Sequence, residues 1–154
     1  MGDAMLTGLV AAAVMVASPQ TPASNWVVAG GNSDGSTLIF VDTGKMRREP
    51  GGVRVTWALI VNRERTEPGY DYVIVRRQYR CAEGEMRLNY LASYSLDSDA
   101  PLASGALTDN WEPVLPNSSG QNELDAACSN EAVDGMDVTT FDLAQIARDI
   151  LISE

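Results

Sequence analysis

The chain has 154 residues, one domain's worth, and a folded domain of that length buries about two thirds of the surface its unfolded form exposes. Lys and Arg total 11 against 21 Asp and Glu, a net charge of -10, and histidine is absent. Such acidity excludes general nucleic-acid binding, which needs clustered cations to neutralise phosphates. The lack of imidazole removes the commonest acid, base and zinc ligand. The charge is also uneven: residues 45–87 hold ten of the eleven cations and six anions, whereas residues 88–154 hold one cation and twelve anions. Only the middle third would attract an anionic partner.

In chain order, the first feature is an apolar run from Leu6 to Ala17. At about a dozen residues it is shorter than the 20 or so needed to span a bilayer, and it suits the apolar region of a signal peptide. Thr21 and Ala23 place small residues for cleavage after Ala23. Asp3 and the lack of an early Lys or Arg leave an ordinary buried helix as the competing reading. No cysteine follows the run, so there is no lipid-attachment site. The expected boundaries are a signal peptide at 1–23, a sheet-rich domain at 24–130, and a linker with a C-terminal amphipathic helix at 131–154. The mature chain is then expected in the periplasm or secreted.

Period-two runs follow, separated by Gly, Pro, Asn and Asp clusters, the pattern of an antiparallel sheet. They are NWVVAG (25–30) and STLIFVDT (36–43), which flank a hairpin turn, then GVRVTWALIVN (52–62), YDYVIVRRQYRC (70–81) and EMRLNYLASYSL (85–96). A short sixth strand is expected around PLASGA or DNWEPV. In the third run Val53, Val55, Trp57, Leu59 and Val61 share one face; in the fourth, Val73, Val75, Tyr79 and Cys81 do. A turn at 82–85 would pair Cys81 with Met86, Tyr79 with Leu88 and Val75 with Ala92, apolar against apolar. On that register Cys81 points into the core, Arg77 faces Tyr90 as a cation-π pair, and Arg80 lies across from Arg87. Arg54, Arg76, Arg80 and Arg87 all fall on the face opposite the cysteine.

Like charges opposed across strands are mildly destabilising, so something should offset the arginines. Three readings stay open: internal pairing with Glu83, Glu85 or the acidic C-terminal half; a basic platform for an acidic protein, glycan or lipid headgroup; and plain solvated charge. The segment SSGQNELDAACSN begins with capping serines and sets Leu124, Ala127 and Cys128 on one side of a short helix. In an oxidising compartment Cys81 and Cys128 pair and staple this helix to the sheet, stabilising the fold by about 4 kcal/mol through loop closure; two unpaired buried thiols are the alternative. Farther on, Thr139 and Asp142 form a capping-box-like start, and Leu143, Ile146, Ala147, Ile150 and Leu151 make a second helix amphipathic.

The chemistry of a catalyst is missing from the sequence. There is no G-x-S-x-G elbow and no phosphate-loop glycine spacing. The acidic neighbours Asp97 and Asp99 sit in a turn rather than converging from separate elements, and Asn32, Asp34 and Gly35 are a fragment of a calcium loop. Neither a catalytic residue, a metal ligand nor a cofactor is assigned.

A further reading comes from the ordered features between Trp26 and Cys128: the strand opened by Trp26, FVDTGKMRR ahead of VRVTWALI, the arginine-rich strand ending in Cys81, then Trp111, PNSSG and Cys128. This arrangement resembles the surface-adhesin protein E family over about two thirds of the chain. The resemblance implies an α+β fold, an antiparallel sheet of about six strands with a helix tethered by a disulfide. It also implies a non-catalytic exported module that adheres to extracellular-matrix and serum proteins such as laminin and vitronectin through basic residues. An envelope protein that assembles through a sheet edge is the alternative role.

Overall fold

A computed structural model describes residues 20–153. Residues 1–19 of the expected signal peptide lie outside this range. The strands are β1 (Trp26–Gly31), β2 (Thr37–Asp42), β3 (Arg47–Glu49), β4 (Val53–Asn62), β5 (Tyr72–Arg80), β6 (Glu85–Tyr94), β7 (Pro101–Ala106) and β8 (Glu112–Pro113). Helices α1 (Ser119–Cys128) and α2 (Thr140–Ser153) follow. All strand pairings are antiparallel, and the sheet runs β1-β2-β4-β5-β6-β7, with β3 beside β4 and β8 beside β6. Six strands therefore form the expected meander. PLASGA and part of DNWEPV both become strands, as β7 and β8; the three-residue β3 was not expected.

Each face of the sheet carries its own core. Trp26, Phe40, Leu59, Val61 and Tyr72 pack against Leu143, Ala144, Ala147 and Leu151 of α2. On the opposite face Ala29, Ile39, Val41 and Tyr79 pack against Leu124 and Ala127 of α1. Burial on both faces explains why β2 and β4 read as nearly continuous apolar runs. Trp57, Leu59 and Val61 are thus on the α2 face, while Val75 and Tyr79 are on the α1 face. The α2 core keeps Leu143, Ala147 and Leu151 of the expected stripe and adds Ala144, whereas Ile146 and Ile150 are 42% and 45% exposed.

The β5–β6 hairpin departs from the expected register. Arg80 pairs with Glu85, so the loop is Cys81 to Gly84, closed by a bond from Gly84 N–H to the Arg80 carbonyl at 3.0 Å. Gly84 sits at φ +67, a left-handed conformation that glycine adopts freely. That turn places Met86 across from Tyr79 and Leu88 across from Arg77. A bulge then leaves Asn89 unpaired between Leu88 and Tyr90, so Tyr90 meets Arg76 and Ala92 meets Ile74. Met86 and Leu88 consequently face α1, whereas Tyr90, Ala92 and Tyr94 face α2. A single unbroken alternation along β6 had predicted all of them on one side.

Both helices are capped as the sequence indicates. Ser118 Oγ accepts the Gln121 N–H at 3.2 Å, and Thr139 Oγ1 accepts the Asp142 N–H at 3.1 Å while donating to Asp142 Oδ2 at 2.8 Å. Cys81 and Cys128 are joined by a disulfide that fixes the end of α1 to the β5–β6 loop. Among the described residues, no helix is long and apolar enough to cross a membrane.

Candidate binding face

Of the four arginines singled out by sequence, three share a face. Arg76, Arg80 and Arg87 lie on the α2 face, since Arg76 and Arg80 alternate with buried Tyr79 and Arg87 is opposite Gln78. Arg54 is the exception: it pairs with Tyr79 and so shares the face of the cysteine. Its guanidinium donates to the carbonyls of Ala127 and Ser129 at 2.9 and 2.8 Å and to Asn130 Oδ1 at 2.6 Å. There it caps the C-terminus of α1, satisfying carbonyls that have no partner within the helix. Burial lowers its pKa from the usual arginine value, and the nearby Arg48 charge adds to this. Arg54 is structural.

The expected opposition of Arg80 and Arg87 is also corrected. Arg80 Nη1 lies 3.2 Å from Glu85 Oε2, and Arg87 Nε donates to Gln78 Oε1 at 2.5 Å. The two guanidiniums instead flank one ring, at 4.1 and 4.5 Å from the centroid of Trp111. The β6–β8 pairing, with Met86 opposite Glu112, brings Trp111 alongside them. An indole within reach of both cations provides an attraction that offsets their repulsion. Arg76 Nε donates to Asn89 Oδ1 at 2.8 Å, so the bulge residue holds this arginine in place.

Charge compensation differs among the arginines: Arg65, Arg77, Arg80 and Arg148 make ion pairs. Arg65 and Arg148 both bind the buried Asp71, and Arg77 Nε lies 2.8 Å from the buried Glu123 carboxylate rather than over Tyr90. Burial pushes Glu123 above the usual glutamate pKa, with the Arg77 charge acting against it. Tyr79, within 3.4 Å of the same carboxylate, is raised well above its ordinary value, mainly by burial and then by the Glu123 charge. Among the described residues, Arg76 and Arg87 make no ion pair, and Arg80 has one partly exposed partner. Internal ion pairing therefore accounts for Arg77 and in part Arg80, hydrogen bonds to α1 account for Arg54, and neither accounts for the whole row.

Sequence reasoning missed the Arg77–Glu123 and Asp71 clusters. The ties between elements carry no local signal, since Arg77 and Glu123 are 46 residues apart and Asp71 and Arg148 are 77 apart, although Arg65 and Asp71 are six apart. The two arginine partners of Trp111 were likewise not foreseen.

Together these features define a small disulfide-stapled α+β domain with one partly open sheet face carrying aromatic and cationic side chains. The chain matches the Surface-adhesin protein E family over residues 26–129 and belongs to that family. No curated protein and no solved structure matches it significantly.

Proposed function

We propose that the chain is an exported, non-catalytic adhesion module that engages an acidic protein partner through Arg76, Arg80 and Arg87 with Trp111. The observation that carries this reading is the lack of any ion pair at Arg76 and Arg87 among the described residues, on the part of the sheet that α2 leaves open. Family membership supports a surface role. Arg54, one of the residues first assigned to the face, plays no part in it because its donors are consumed by α1. Neither a metal nor another cofactor is required for such recognition, which rests on guanidinium–carboxylate pairing and an aromatic contact.

The test is binding of the full chain to immobilised laminin and vitronectin over a range of salt concentrations. The expected result is that replacing Arg76 and Arg87 together with Gln weakens binding and flattens its salt dependence, with little change in melting temperature. Unchanged affinity with a clear loss of stability would end this reading.

A second role is favoured by one observation. β7 ends the sheet, and all six of its residues are exposed. Such an uncharged edge can accept another strand, as an envelope protein assembling through its sheet would require. Light scattering should then show self-association that Ser104→Pro abolishes; a monomer at all concentrations opposes assembly of like chains.

A further inference from the structure

A groove of ≈ 940 Å³ opens on the α2 face, with Trp57, Ile74, Tyr90, Ala92 and Tyr94 as its floor. Ser24 lines one side, joined by residues 21–23 in the uncleaved chain, and Asp137, Val138, Thr139, Thr140 and Asp142, where α2 begins, line the other. Gly44 permits residues 24–25 to lie close on that side, because a Cβ there would come within 2.7 Å of the Asn25 nitrogen. The volume falls in the range of ligand sites, which combine an apolar lining with a few placed polar groups.

Three observations indicate what the groove takes. Its aromatic floor is unfinished as a core: Trp57, Ile74, Tyr90 and Tyr94 are only half-buried, and Trp57 meets Tyr90 edge-on at 5.8 Å. Trp26, 2% exposed, also lines the groove, and its indole N–H has no acceptor among the described residues. A buried donor of that kind costs free energy until an acceptor reaches it. Third, the floor runs directly into the arginines. Trp57, Arg76 and Tyr90 occupy one cross-strand row, and Arg87 and Arg80 follow toward the hairpin.

The charges give this strip a direction. Asp137 and Asp142 stand on the wall at the α2 end, and the arginines stand at the hairpin end. Lys45 adds a cation at the rim, while Asp42 beneath it already accepts the N–H groups of Asn25, Gly44 and Lys45. From Arg76 to Arg80 the strand advances about 13 Å, the span of four extended residues.

We propose that the groove receives an aromatic or large aliphatic side chain of an extended acidic polypeptide, whose carboxylates, two to four residues away, lie over Arg76, Arg87 and Arg80. This rests on the reading of the arginine row as a binding face and adds to it the anchor that gives affinity. Salt-sensitive arginine contacts steer the partner; the apolar side chain in the groove holds it.

The test compares two labelled peptides against the full chain by fluorescence anisotropy. One begins with Trp followed by a glycine and five acidic residues; the other replaces that Trp with Gly. Binding of the Trp peptide is expected to be about 30-fold tighter, the effect of one buried aromatic anchor. Tyr90→Ala should erase that advantage, with far-UV circular dichroism showing that the variant is folded. Equal binding of both peptides, weakened by replacing Arg76 and Arg87 with Gln, would leave the arginine face standing and overturn the groove as its anchor site. No binding of either peptide would overturn both readings. Displacement of the Trp peptide by an uncharged disaccharide, with no preference for Trp over Gly, would assign the groove to saccharides and overturn the proposal.

Discussion

Asp71 is buried at the start of β5 and accepts hydrogen bonds from Arg65, from Arg148 of α2 and from the N–H of Leu96. Burial alone would raise its pKa, but these donors and the Arg65 charge outweigh it and bring the group down to about 2. One carboxylate thereby holds the β4–β5 loop, the end of β6 and α2 in one place. Its folded pKa lies below the ordinary value of 3.8, so its contribution is present in full above that value and is lost as pH falls through 2. The shift corresponds to about 2 kcal/mol. Urea unfolding at pH 7 and at pH 2 should show this loss in the native chain. Asp71→Asn should be less stable at pH 7 and should lose less on acidification. An unchanged pH dependence in the variant would show that Asp71 is not the acid-sensitive tie.

At the scale of elements, legibility followed the range of the forces involved. Ser118, Thr139 and Asp142 announced two helix starts because a cap is a contact between residues three apart. β4 was read with its faces correctly divided, since Trp57, Leu59 and Val61 alternate without interruption. The β5–β6 register was not legible. It depends on Gly84 at positive φ and on the extra residue Asn89, and neither changes the pattern of hydrophobicity enough to be seen. The face assignment of Arg54 failed for a different reason: parity within each run was known, but the offset between β4 and β5 was not. In α2 the run of isoleucines drew the apolar stripe toward Ile146 and Ile150, whereas small Ala144 and Ala147 allow the helix to sit close to the sheet. Ile150→Lys should therefore change stability by no more than about 0.5 kcal/mol. Ala147→Leu should cost about 1–3 kcal/mol through overpacking. Thermal unfolding of both variants checks the assignment, and the reverse order would restore the isoleucine stripe.

For the whole molecule, the Cys81–Cys128 bond has a mechanical consequence. Tension applied at the two ends of this chain travels along the backbone only as far as Cys81 before passing through sulfur to Cys128. Residues 82–127, which include β6, β7 and nearly all of α1, lie off that route and cannot pay out as tether. At about 3.4 Å per extended residue, the 47-residue separation withholds about 160 Å of slack. Pulling single molecules with and without reductant should give contour lengths that differ by that amount. Under tension, the segment that carries Arg87 and Tyr90 thus remains inside the covalent loop while the rest of the chain is strained.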